Sequence, residues 1–174
     1  MLAKEVNVSK GISALVAKLQ KKGFAEDKIV LTLVNAFSAE LSKTDDSGGV
    51  FVPVGVFLDG RLGVLECLVK FLREELGWSF VRIGGVLGRR GGSVCSSYRA
   101  AVGKVSGRLV FGVSDFVVPV GVFRSDVLSG LECLVVELKR RYGLRNCEVA
   151  RLLHRDDRTI WTVVSRAKKA GVKL

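Results

Sequence analysis

The side chains best suited to chemistry in this sequence are basic, and their chemistry is anion binding. RDDRTIWTVVSRAKK (155–169) carries Arg155, Arg158, Arg166, Lys168 and Lys169 on a segment where Ile160 and Val163 fall at helical spacing. A guanidinium fork holds phosphate or a guanine edge, whereas an ammonium acts as a point charge. The same residues opposite an apolar stripe also make an ordinary solvated helix face. Over the whole chain 28 Lys+Arg stand against 17 Asp+Glu, a net charge of +11. Such an excess favours a polyanionic partner, nucleic acid or an acidic membrane surface, without fixing a fold.

Other chemistries find little support. His154 is the single histidine, and Cys67, Cys95, Cys133 and Cys147 are scattered without a CxxC pair, so neither a metal site nor a cofactor is expected. In a reducing cytosol these thiols read as small hydrophobes. GRRGGS (88–93) is glycine-rich but lacks the GK[ST] ending of a phosphate-binding loop, and neither GxSxG nor HExxH occurs. Enzymatic activity and a small-molecule substrate are therefore not expected. No apolar run is long enough for a transmembrane helix, and residues 1–10 lack the core of a signal peptide. No membrane partner is expected, and the expected location is the cytoplasm, at the nucleoid if the chain binds DNA.

An internal repeat organises these residues. VPVGVF occurs at 52–57 and again at 118–123, an offset of 66. Without a gap, Leu65-Glu66-Cys67-Leu68-Val69 then falls on Leu131-Glu132-Cys133-Leu134-Val135, Gly77 on Gly143, Leu87 on Leu153 and Arg89 on Arg155. Three segments follow: an N-terminal helical hairpin over 1–46, repeat 1 over 47–107 and repeat 2 over 108–174. Repeat 2 carries 13 basic and 7 acidic side chains, against 8 and 4 in repeat 1.

Each repeat opens on a β-branched segment, VFVPVGVF or FVVPVGVF, expected to be extended with proline confining it to an edge or a strand start. A long amphipathic helix follows, near Leu128–Tyr142 in repeat 2, ended by Gly143 as Gly77 ends its counterpart. Two shorter helices come next, at Asn146–Leu153 and Asp157–Lys169, and at Ser79–Leu87 and Gly92–Lys104. Their apolar positions are those of two closely crossing helices. Ala150 is the small residue at the crossing, with Val149, Leu153, Ile160 and Val163 facing the core; Gly84, Ile83, Leu87 and Val94 match in repeat 1, but Ser97 replaces the last anchor. Trp161 is expected to pack and His154 to sit in a surface turn.

NCEVARLLHRDDRTIWTVVSRAKKA resembles the helix-turn-helix of sigma-factor region 4 and related transcription regulators, over about 25 residues per repeat. SFVRIGGVLGRRGGSVCSSYRAAVGK keeps that skeleton, with Gly91 and Gly92 diluting its second helix. The fuller unit is also similar to prokaryotic tandem helix-turn-helix proteins. The resemblance implies a second helix that enters the major groove of duplex DNA. Matched residue by residue, Arg158, Thr162, Ser165 and Arg166 face the groove in repeat 2, while Arg155, Lys168 and Lys169 neutralise phosphates. The equivalents in repeat 1 are Ser93, Ser96, Arg99 and Lys104, with Arg89 and Arg90 at the turn.

The expected fold is mostly α: two duplicated helix-turn-helix units with short β segments, related by a pseudo-two-fold, behind the N-terminal hairpin. That hairpin shows two apolar stripes, Ile12 to Leu19 and Ile29 to Leu41, which need cover from the repeats or another chain, so a homo-oligomer is expected. KTDDSGG (43–49) reads as a linker. The expected function is duplex-DNA binding, as a transcription regulator or nucleoid-associated protein. The alternative is a structural protein that self-assembles through the VPVGVF segments and N-terminal helices, because two edge strands can pair within a chain or between chains.

Overall fold

The structure, a computed structural model, describes residues 50–111 and 114–173. The hairpin expected in residues 1–46 and the linker at 43–49 lie outside them. Strand β1 (Phe51–Pro53) leads through a 3-10 turn (Val54–Phe57) to helices α1 (Val64–Glu74), α2 (Phe80–Leu87) and α3 (Gly91–Lys104). Strand β2 (Val117–Pro119) leads through a second 3-10 turn (Val120–Phe123) to α4 (Gly130–Tyr142), α5 (Asn146–Leu152) and α6 (Asp157–Lys169). Every element begins 66 residues after its counterpart. The described residues are thus mostly helical, with one two-stranded sheet.

The two strands pair with each other, antiparallel and within the chain. Phe51 faces Pro119, Val52 faces Val118 and Pro53 faces Val117. Val52 and Val118 are themselves repeat equivalents, so exchanging the units maps this ladder onto itself. An approximate two-fold axis therefore passes between them. The flanking hydrogen bonds obey the same exchange: Val54 N–H donates to the Phe116 carbonyl at 2.9 Å, and Val120 N–H to the Val50 carbonyl at 2.8 Å. Phe57 and Phe123, also equivalents, meet with ring centroids 5.6 Å apart.

Only the first two residues of each VPVGVF segment are extended, where the sequence suggested extension throughout. Pro53 and Pro119 sit at φ −60° and −70° with no N–H to give, so the ladder stops there and Val-Gly-Val-Phe coils into a 3-10 turn. The turns are not wasted apolar surface, because Val54, Val56, Phe57, Val120 and Phe123 are all buried.

Within each unit, the long helix is the platform. Leu68, Phe71 and Leu72 of α1, and Leu134, Val135 and Leu138 of α4, are buried. Against them turn the anchors expected from sequence: Ile83, Leu87 and Val94 in one unit, Val149, Leu153, Ile160 and Val163 in the other. Glutamates close the N-termini of three helices. Glu66, Glu132 and Glu148 each accept the backbone N–H three residues earlier at 2.7 Å, satisfying a donor the helix leaves unpaired.

One buried site breaks the equivalence of the units. Lys70 of α1 is fully buried, its Nζ 2.6 Å from Glu74 Oε1, which also accepts the Tyr98 hydroxyl at 3.1 Å. The second unit has Val136, Arg140 and Val164 at these positions. A cation without water must keep its carboxylate, and the reverse holds equally. Lys70→Ala is expected to lower unfolding free energy by about 2–4 kcal/mol in urea, and Lys70→Ala/Glu74→Ala to recover part of that loss. A double variant as unstable as the sum of its single variants contradicts this coupling.

Candidate nucleic-acid interface

The two shorter helices of each unit meet at a tight turn. Gly88 (φ 65°) and His154 (φ 49°) take the same left-handed conformation at equivalent positions. Beyond them Arg89 N–H donates to the Gly84 carbonyl at 2.8 Å, and Arg155 N–H to the Ala150 carbonyl at 2.9 Å. These bonds require small residues. A Cβ on Gly84 would stand 2.5 Å from the Arg89 carbonyl oxygen, whereas the second unit carries the methyl of Ala150 there. Gly91 and Gly92 do not dilute α3, which runs unbroken from Gly91 to Lys104, because they occupy only its first turn.

Helix α6 presents the richest outward face. Arg158, Arg166, Lys168 and Lys169 are exposed, while Thr162 and Ser165 are half-buried. None of the four cations is in an ion pair among the described residues. The Thr162 hydroxyl donates back to the Arg158 carbonyl at 2.9 Å, leaving its oxygen free to accept. Asp156 caps the helix, accepting Arg158 N–H at 2.7 Å, and with Asp157 it makes the first turn acidic. The positive charge is therefore concentrated toward the C-terminal half.

Trp161 is 65% exposed, contrary to the packing role expected for it. Ile160, Val163, Val164 and Ala167 already fill the inner face, and a residue one place after Ile160 is turned roughly 100° away from it. The indole lies beside Arg158, Asn146, Cys147 and Asp157 around an open groove of about 540 Å³. Reading the helical phase from Ile160 rather than residue type would have placed it outside.

Helix α3 offers less. Arg90, Ser93, Ser96 and Arg99 are exposed, with the Ser96 hydroxyl donating to the Gly92 carbonyl at 3.0 Å. Lys104 gives its ammonium to both Glu66 oxygens at 2.8 Å, which ties the end of α3 to the start of α1. That bond, with the Gly63 N–H, holds the Glu66 carboxyl below the usual carboxylate range.

Arg89 and Arg155 are half-buried where the units meet. Their charges bear on opposite-unit thiols: Arg155 on Cys67 and Arg89 on Cys133. Burial dominates both thiols, pushing Cys67 up to about 12. Arg89 Nε is buried without a hydrogen-bond partner. It lines a polar cavity of about 500 Å³ with Arg90 and Ser93 on one side and residues 125–129 of the other unit opposite. Arg73 and Lys139, repeat equivalents, donate to the Trp78 and Leu144 carbonyls at 2.9 and 3.0 Å and act within the fold.

Among the described residues no cluster of three or more His, Cys, Asp or Glu side chains is placed to hold a metal, and no helix is long and apolar enough to cross a membrane. Comparison with protein-family models, curated proteins and solved structures finds no match.

Two predictions concern the parts that hold these helices. His154→Gly is expected to raise stability by about 0.5–1 kcal/mol, since a β-carbon in the left-handed region is strained, and Gly88→Ala to lower it by at least about 1 kcal/mol; thermal unfolding reads both. A His154→Gly variant no more stable than the parent, or a Gly88→Ala variant as stable as it, would show that the turns are not held left-handed. The folded pKa of Glu66 is lowered, so its stabilisation is present above the ordinary glutamate value and is lost as pH falls through the folded one. Glu66→Gln should therefore be the less stable protein at pH 7 and match the parent in acid. A constant difference across that range contradicts the ion-pair origin.

Proposed function

We propose that this chain binds duplex DNA through tandem helix-turn-helix units, with α5–α6 as the main contact and α2–α3 as the weaker one. The observation that carries the reading is the outward face of α6, where Arg158, Arg166, Lys168 and Lys169 have no carboxylate partner among the described residues while the apolar anchors turn inward. A fixed helix with that division can enter a major groove. Arg158 and Arg166 are suited to guanine edges, with Thr162 and Ser165 beside them and Trp161 offering apolar contact to thymine methyls. Lys168 and Lys169 hold phosphates and set register, as Arg90 does from the first unit, where Arg99 takes the groove-facing place of Ser165. Lys104, Arg89 and Arg155 have structural contacts as well, and contribute mainly through the field they add.

The resemblance to sigma-factor region 4 supports the same reading, in a transcription regulator or nucleoid-associated protein held in the cytoplasm. A second reading, self-assembly, is favoured by the exposed apolar side chains Val81, Val127 and Trp161. The VPVGVF segments, its other expected route, pair with each other within the chain in this structure and are largely buried.

Duplex-DNA affinity across a salt series separates the two, with particle size followed in parallel. Micromolar or tighter binding is expected, with log affinity falling by about 0.9 per phosphate contact for each unit of log salt. Arg158→Ala/Arg166→Ala should weaken it on the order of tenfold to a hundredfold without altering the fold. No binding at low salt, with large particles forming from protein alone, replaces this reading with self-assembly.

A further inference from the structure

We infer that one chain reads two half-sites of related but unequal sequence, arranged in inverted orientation on a single duplex; this rests on the DNA-binding reading above. Val52 opposite Val118 is a pairing of equivalents in an antiparallel ladder, and the flanking bonds from Val54 and Val120 are reciprocal. Such a ladder is compatible with a two-fold relation between the units and not with a translation, which would set equivalent strands parallel. Rotation about an axis leaves the component along that axis unchanged. Whatever component the outward face of α6 has along that axis, the face of α3 shares it, and the parts of both that run across the axis are reversed.

A duplex carries two-fold axes perpendicular to its own length. Aligning one of these with the protein's axis lets α3 and α6 meet two grooves in equivalent ways, but only if the sequence elements run in opposite directions. Direct repeats would present one unit with the correct half-site and the other with a reversed one. The reading groups differ between the units: Arg158 is matched by Gly92, Arg166 by Ala100 and Ser165 by Arg99. The half-site under α6 is thus the more fully specified, and the one under α3 depends on Arg99. A symmetric dimer reads two identical halves; this duplicated chain reads an imperfect inverted repeat with no second copy.

The test is selection of randomised duplex DNA by the full-length chain, followed by the mass of the complex on the enriched duplex. The expected result is an inverted, imperfect motif with half-site centres about one helical turn, or a multiple of one, apart, bound by one chain. Arg158→Ala/Arg166→Ala should relax base preference on the order of tenfold in one half only, and Arg99→Ala in the other half only. Half-sites in the same orientation, a single half-site, two chains per duplex, or both variants blurring the same half each overturn this inference while leaving DNA binding intact. Failure to retain any duplex at low salt overturns the DNA-binding reading itself, and this inference with it.

Discussion

The reciprocal pairing of β1 with β2 is the constraint on which the rest depends. A three-residue strand cannot persist alone, and a two-stranded ribbon is marginal without an apolar face to cover. Here the ribbon is closed by its own symmetry: Val52 and Val118 meet on the axis, and the 3-10 turns carry Phe57 onto Phe123. Around this seam the contacts are tight. A Cβ on Gly130 would come within 2.9 Å of the Leu65 side chain, and Arg124 lies over Gly88 at the turn of the other unit. The turn that sets α3 is therefore braced by the opposite unit. The two faces are parts of one body rather than beads on a string.

On that shared frame the units have diverged in a physically ordered way. Positions that hold the frame keep their chemistry even when the residue changes: Arg73 and Lys139 each cap a carbonyl, and Gly88 and His154 each take a left-handed turn. Positions on the outward faces do not. Gly92, Cys95 and Ala100 stand where the second unit has Arg158, Trp161 and Arg166. The buried Lys70–Glu74–Tyr98 group lies at the interface of α1 and α3, where the second unit has Val136 and Val164 with Arg140 beyond. Unit 1 has thus exchanged surface charge for an internal polar network, and unit 2 has done the reverse.

Much of the fold was legible because the duplication is free of gaps. An offset read from VPVGVF placed the later helices to within about two residues of their observed starts, and the observed α6, Asp157–Lys169, coincides with the segment expected from periodicity. Anchor residues were legible for the same reason: burial at Ile83, Val94, Ile160 and Val163 follows directly from spacing. What escaped were features set by tertiary neighbours. Lys70 looks like any surface lysine until Tyr98 of another helix is placed above it. Lys104 reads as a phosphate ligand until Glu66, far away in sequence, takes its ammonium. The 3-10 turns within VPVGVF, and the exposure of Trp161, were hidden because residue type outweighed position in reading them. Whether the edge strands paired inside the chain or between chains was undecidable from sequence, since the same ladder satisfies both.

That last point is the centre of the account, and hydrogen exchange at two amides tests it most directly. Val54 N–H and Val120 N–H make the reciprocal bonds on either side of the axis, at 2.9 and 2.8 Å. If the seam is an in-chain, two-fold clasp, both amides exchange slowly, at the same opening free energy, and with rates independent of protein concentration. Rapid exchange at both while the α1 and α4 core amides remain protected would show that the units are not clasped. Protection that grows with concentration would show that the clasp joins different chains.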